Sequence, residues 1–299
     1  MVPGLVHVSF AAGDGTRIGY QDRAAAPGAP VVVLANGLGG TYQAYRHLYA
    51  ALPGYRVLCW DYRGLYASAA PADVATLTVP HQVGDLVALL DHVGVDQAVV
   101  VGWSMGVQVA LELWRQAPAR VAGLMAINGT SGRPFRTVFG TQLVEQIIPV
   151  LLKVVRAQAT LAGKVAERVA GSDALVTAMQ RLGLLAPTLD LEAFRAVAAG
   201  FRTLDWRIYS ELLLRLNDHD AEDVLPTIAV PTAIVTGDKD GLTPPATAAR
   251  LQQAIPGAVL TVIPGGTHYT PMEYPAIVCS ALHALLARVP GWQPDPARE

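Results

Sequence analysis

The sequence lacks most of the features that would place it in a special class. Only two of its 299 residues are cysteine, Cys59 and Cys279, too few for a disulfide framework. Cys59 falls in an expected strand and Cys279 in an expected helix, where a small buried hydrophobe is the ordinary role. No run is rich in lysine or arginine, and 22 basic against 24 acidic residues leave a net charge of −2. The electrostatic footprint of a nucleic-acid binder is therefore missing, and no such partner is expected. No stretch of about twenty uninterrupted apolar residues occurs, so stable membrane insertion is not expected. The start, MVPGLVHVSF, has neither the basic region nor the apolar core of a secretory signal. A cytoplasmic protein is the default that these absences leave. There is no internal repeat and no low-complexity linker, and the sequence is silent on oligomeric state.

What the chain has is apolar surface to bury: 52% of it is hydrophobic, enough for a large core at this length. Strand and helix patterns alternate. Alternating runs at 7–10 and 17–22 around AAGDG read as a hairpin. Continuous apolar strands are expected at 31–35, 55–60, 97–101 and 121–127. Helices are expected at 42–52 and 78–92, the second with Thr78 as N-cap and Pro80 in its first turn. That alternation predicts an α/β fold, a mostly parallel central sheet flanked by helices.

From about 133 to 227 the pattern is helical throughout. The stretch 137–155 carries Phe139, Leu143, Ile147 and Leu151 at helical spacing, with Pro149 expected to kink or split it. The stretch 191–216 carries Phe201, Trp206 and Tyr209. Alternation resumes with strands at 232–236 and 259–263 and helices at 244–255 and 274–288. The expectation is one core, 1–132 with 228–299, interrupted by a helical cap at 133–227.

Four short loops leave the carboxyl ends of expected strands, where open parallel sheets bind their ligands. They read NGLGG (36–40), GWSMG (102–106), GDKDG (237–241) and GGTHYTP (265–271). Together they supply a nucleophile, an acid, a base and backbone donors. A serine hydroxyl needs a base to take its proton during attack, and a histidine titrates near neutrality and can return that proton. A buried carboxylate on the far ring nitrogen holds the tautomer. Two preorganised N–H groups meet the oxyanion. Glycines on either side of Ser104 suit a sharp strand–turn–helix junction in which side chains would clash.

On these motifs the chain resembles the α/β-hydrolase superfamily, in the capped branch that holds serine esterases and lipases. The likeness covers nearly its whole length, with nucleophile, acid and histidine loops in the family's order. It implies Ser104 as nucleophile, His268 as base and Asp240 as acid, with Asp238 the fallback. It also implies that Leu38 and Met105 give the oxyanion hole its N–H groups. Two positions depart from the family. Asn36-Gly37 stands where His-Gly is usual, leaving an asparagine amide to brace that loop, and Tyr66 in DYRGLYAS stands where glycine is favoured.

The resemblance implies hydrolysis of small to medium, low-polarity carboxylic esters through an acyl-enzyme, with no metal or organic cofactor. Lactonase, thioesterase and carbon–carbon bond hydrolase use the same machinery, and some family members are slow-turnover ligand receptors. An aspartate nucleophile would indicate epoxide or haloalkane chemistry, and position 104 is serine. Candidate substrate-binding residues are Trp103, Phe139, Trp206 and Tyr269. Trp103 suits lining and packing equally, and most cap aromatics are ordinarily core. The other histidines sit in helices or strands or, for His219 in NDHD, at the exit of the cap without a second histidine nearby, so no metal site is expected.

Overall fold

The computed structural model describes residues 2–138 and 143–292. Eight strands form one sheet: β1 (Leu5–Ala11), β2 (Arg17–Arg23), β3 (Val31–Ala35), β4 (Arg56–Trp60), β5 (Ala98–Trp103), β6 (Val121–Ile127), β7 (Thr232–Gly237) and β8 (Val259–Ile263). Their order is β1-β2-β4-β3-β5-β6-β7-β8. The β1–β2 and β2–β4 pairings are antiparallel, and every pairing from β4 to β8 is parallel.

Helices α1 (Arg46–Ala50), α2 (Val79–His92) and α3 (Met105–Gln116) follow β3, β4 and β5. The β-branched runs VVVLA and AVVVGW are buried along their whole length, as strands covered on both faces must be. Side chains alternate between the faces. Val31, Val33 and Ala35 enter the core shared with α2 and α3, while Val32 and Leu34 enter the core shared with α1 on the other side.

Between β6 and β7 the described residues form helices and turns: α4 (Leu143–Ala157), α5 (Ala159–Val169), α6 (Asp173–Arg181), α7 (Leu191–Gly200) and α8 (Trp206–Asp218). Side-chain caps mark the breaks. Ser172, Asp190 and Asp205 each accept backbone N–H bonds at the start of a helix. Within the stretch expected as one helix, 137–155, the described helix is Leu143–Ala157, with a short 3-10 turn at Pro134–Arg136 ahead of it, and it runs through Pro149 without splitting. The apolar run at 191–216 is two helices, because Asp205 starts a new one. Thr78 precedes α2 without capping it; its hydroxyl pairs with His81 Nδ1 at 2.8 Å.

The chain enters and leaves this helical segment across α3. Ala221 N–H donates to Ser131 O at 2.8 Å, and Gln108 Nε2 donates to Gly132 O at 3.0 Å. His219 is buried there between Gln108 Oε1 (2.7 Å) and Glu112 Oε2 (2.9 Å), which accounts for both ring nitrogens. After β7 come α9 (Pro245–Ala254), then β8, the short α10 (Thr270–Glu273) and α11 (Pro275–Leu286). Cys59 is fully buried and Cys279 is only half-buried. Among the described residues no helix is long and apolar enough to cross a membrane.

Candidate active site

The turn from β5 into α3 is as tight as its glycines suggest. A Cβ at Gly102 would lie 2.2 Å from Gly106 O, and one at Gly106 would lie 2.0 Å from Ala35 O. Ser104 between them has φ 55° and ψ −116°, a conformation that costs an L-residue strain and persists only where the surroundings impose it. Its N–H bonds Ile127 O at 2.9 Å, and its C=O accepts from Val107 N at 3.0 Å. The hydroxyl is thereby held clear of the sheet.

His268, in the loop after β8, places Nε2 2.9 Å from Ser104 Oγ. Its backbone is tied to the elbow, because Trp103 Nε1 donates to His268 O at 2.8 Å. On the far side of the ring, Nδ1 lies 2.9 Å from Asp240 Oδ2 and 3.1 Å from Oδ1. Asp240 is buried and also accepts from Leu242 N and Thr243 N (both 2.9 Å), Thr243 Oγ1 (2.7 Å) and Asn128 Nδ2 (2.8 Å). Burial pushes this carboxyl up; the charge and hydrogen bond of His268 and the bonds from Thr243 outweigh it, leaving Asp240 below the usual carboxylate range. Asp238 is exposed and instead accepts Gly265 N at 2.7 Å.

Asn128 is a site residue that periodicity does not reveal. It follows β6 at φ 46°, a region that asparagine tolerates better than most residues. Its Nδ2 bridges Asp240 and Thr267 O, and its Oδ1 accepts from the Thr270 hydroxyl. The dipeptide Asn-Gly at a strand end is the one local signal for it. Thr243, three residues beyond the aspartate, is legible only as a turn residue.

Gly37 to Gly40 make a tight turn closed by Gly40 N–H to Gly37 O at 2.8 Å, with Gly39 at φ 76°. Leu38 sits in it and lines the cavity described below. Met105 opens α3, where first-turn N–H groups have no intrahelical partner and the helix dipole favours an anion. Asn36 braces the loop toward β4: Nδ2 lies 3.3 Å from Trp60 O and 3.2 Å from Cys59 Sγ, while its Oδ1 has no partner among the described residues.

Ser104 and His268 open onto a cavity of about 900 Å³, lined by the helical segment above and the loops below. Among the described residues no Asp, Glu, Lys or Arg lines it. Trp103, Trp206 and Tyr269 all do, together with Phe201 and Tyr209. Trp103 both packs in the core and faces the cavity, so its two expected roles coincide. The Tyr269 phenol stays neutral: burial, joined by the charges of Glu273 and Asp240, pushes it up to about 12. Ile147, one of the apolar residues at helical spacing, is 60% exposed and points outward. Phe139 lies outside the described residues. A smaller hollow of about 560 Å³ lies at the opposite, amino ends of β3 to β5 and touches none of these groups. Among the described residues no three His, Cys, Asp or Glu side chains are grouped to hold a metal ion.

This order of strands, with a serine on the turn after β5 and a histidine after β8, defines an α/β hydrolase. Residues 30–275 match the family model described as alpha/beta hydrolase fold, and the chain belongs to that family. Over 271 residues it is 28% identical to the "Putative carbamate hydrolase RutD" of Klebsiella pneumoniae (strain 342), covering 87% of this chain and 94% of that one. A shorter stretch of 104 residues, 34% of this chain and 32% of the relative, is 38% identical to epoxide hydrolase A of Mycobacterium tuberculosis. The structure superposes on the enol-lactonase from Burkholderia xenovorans with a TM-score of 0.74 at 24% identity, covering 94% of this chain and all of the other.

Proposed function

We propose that this hydrolase cleaves low-polarity carboxylic esters through an acyl-enzyme on Ser104. The observation that carries the reading is the Ser104–His268–Asp240 line, 2.9 Å at each link, opening onto an uncharged cavity of about 900 Å³. Ser104 Oγ attacks the acyl carbon while His268 Nε2 takes its proton, and Asp240 supports the imidazolium. The N–H groups of Leu38 and Met105 receive the oxyanion. The imidazolium then protonates the departing alkoxide. Water enters, gives its proton to His268 and its hydroxyl to the acyl carbon, and the acid leaves as Ser104 recovers the proton.

The cavity supports an apolar ester over a small polar carbamate, because apolar walls leave the carbamate N–H groups without partners. The absence of Asp, Glu, Lys and Arg from the lining among the described residues disfavours anionic substrates, including carboxylates for carbon–carbon cleavage. A lactone or thioester of low polarity fits the same walls. Epoxide opening in this family is expected to need a carboxylate at position 104, which is serine here. The segment 133–227 acts as the cap that roofs the cavity and sets chain-length preference. The test is steady-state turnover of p-nitrophenyl esters of graded acyl length beside a phenyl carbamate, for the native enzyme and for Ser104→Ala. Expected are multiple turnovers, a preference for acyl chains longer than acetyl, and loss of about 10⁴–10⁶ of kcat in Ser104→Ala. One turnover followed by arrest makes the protein a ligand receptor instead, and activity surviving in Ser104→Ala removes the proposed nucleophile.

A further inference from the structure

Three tyrosines donate to carbonyls along the exit of β3. Tyr45 Oη donates to Ala35 O and Tyr62 Oη to Asn36 O, both at 2.6 Å, and Tyr66 Oη donates to Gly39 O at 2.5 Å. The first two come from fully buried side chains with ordinary backbones. The third does not: Tyr66 has φ 51°, one of only three non-glycine residues with positive φ among the described residues. The other two, Ser104 and Asn128, belong to the site. A left-handed backbone is unfavourable for a residue with a Cβ, and such strain persists where neighbours over-determine it.

The partners of Tyr66 are informative. The Gly39–Gly40 peptide is held at both ends, by Gly40 N–H to Gly37 O at 2.8 Å and by the Tyr66 hydroxyl on Gly39 O. That peptide closes the turn carrying the Leu38 N–H. The other face of the ring meets α7, where a Cβ at Gly200 would lie 2.8 Å from Tyr66 Cε1. Phe201 stands over the same turn, 2.6 Å from where a Cβ on Gly39 would be. The Asn36 amide bonds only back to β4, so the outer half of the turn is held by tyrosine.

We propose that Tyr66 is a positioning residue that holds the Gly37–Gly40 turn so that the Leu38 N–H meets the oxyanion. This rests on the serine-hydrolase reading above. Loss of the hydroxyl leaves the ring in its packing place and frees one end of the Gly39–Gly40 peptide, so the donor loses alignment while the apolar cavity keeps its shape. Transition-state binding should fall and ground-state binding should not.

The experiment compares the native enzyme with Tyr66→Phe, and with Ser104→Ala as a reference. Expected for Tyr66→Phe are a roughly tenfold lower kcat with KM unchanged, and a melting temperature close to native. A trifluoromethyl ketone, which forms an oxyanion adduct on serine, should bind roughly tenfold more weakly, while the matched secondary alcohol binds equally well. Native kcat and native ketone affinity in Tyr66→Phe overturn the proposal. So does parallel weakening of ketone and alcohol, which marks a packing role. If Ser104→Ala itself retains activity, the serine-hydrolase reading fails first, and the two failures are told apart.

Discussion

Replacing Asp240 with asparagine should abolish turnover while sparing the fold, and the geometry says how. Oδ1 accepts from two backbone N–H groups, Leu242 and Thr243 at 2.9 Å each. Those donors cannot reverse, so the asparagine oxygen must occupy that side. The new NH₂ then takes the place of Oδ2, facing Thr243 Oγ1, Asn128 Nδ2 and His268 Nδ1. The threonine hydroxyl can rotate to accept. Asn128 cannot turn over freely, since its Oδ1 is engaged by Thr270. His268 adapts by moving its proton from Nδ1 to Nε2. Nε2 then donates to Ser104 Oγ instead of accepting from it, and the base is lost. A wrong-tautomer histidine in a triad costs about 10⁴ in kcat, near 5–6 kcal/mol of barrier. The unpaired Asn128 donor costs about 1–3 kcal/mol of stability, which lowers the melting temperature without unfolding the protein. By contrast Asp238→Asn keeps an amide oxygen for Gly265 N on an exposed side chain and should leave kcat/KM within about threefold, surface changes of this kind being small. The assay is kcat/KM of both variants on one p-nitrophenyl ester, with far-ultraviolet circular dichroism and thermal melting in parallel. Asp238→Asn losing more activity than Asp240→Asn would refute the tautomer argument.

Two further outcomes follow from buried groups and walls. Asp61 is 4% exposed, and burial, against weaker help from the Ala67 N–H and Gln21, raises its carboxyl to about 6. A folded-state value above the unfolded one means the fold binds the proton more tightly, so this group's destabilisation is full above about pH 6 and vanishes below about pH 4, a swing of about 3 kcal/mol. Urea unfolding at pH 5 and pH 8 samples about half of that swing, roughly 1.4 kcal/mol, which Asp61→Asn should lack, and equal pH slopes for variant and native enzyme would exclude it. Ala162, half-buried on α5, lines the cavity. Ala162→Phe should lower kcat/KM for long acyl esters at least tenfold and spare acetyl esters, since a methylene-sized change in an apolar pocket is worth about 1–3 kcal/mol. An unchanged ranking across acyl lengths would take α5 out of specificity.

Local physics made much of this protein legible in one dimension. Valine runs with no polar interruption read as strands covered on both faces, and Gly102, Ser104 and Gly106 mark a turn whose close approaches, 2.0 and 2.2 Å to a notional Cβ, leave no room for side chains. The order of the serine, aspartate and histidine loops followed from strand alternation. Helix limits were less legible where caps and apolar spacing compete, as at Asp205, which divides a continuous apolar pattern. Which aspartate acts with His268 was suggested by resemblance alone; in the structure backbone N–H groups of Leu242 and Thr243 converge on Asp240 while Asp238 faces solvent. Asn128 and Tyr66 carry no periodic signal at all, because their strained backbones and bonding partners, 112 and 27 residues away in sequence, exist only once the sheet has brought the loops together. The inward set of the helical segment was equally out of reach: period places Ile147 on an apolar stripe without saying which way it faces, and α4 turns it outward, since an amphipathic pattern states that a helix has an apolar face and only packing decides what that face meets.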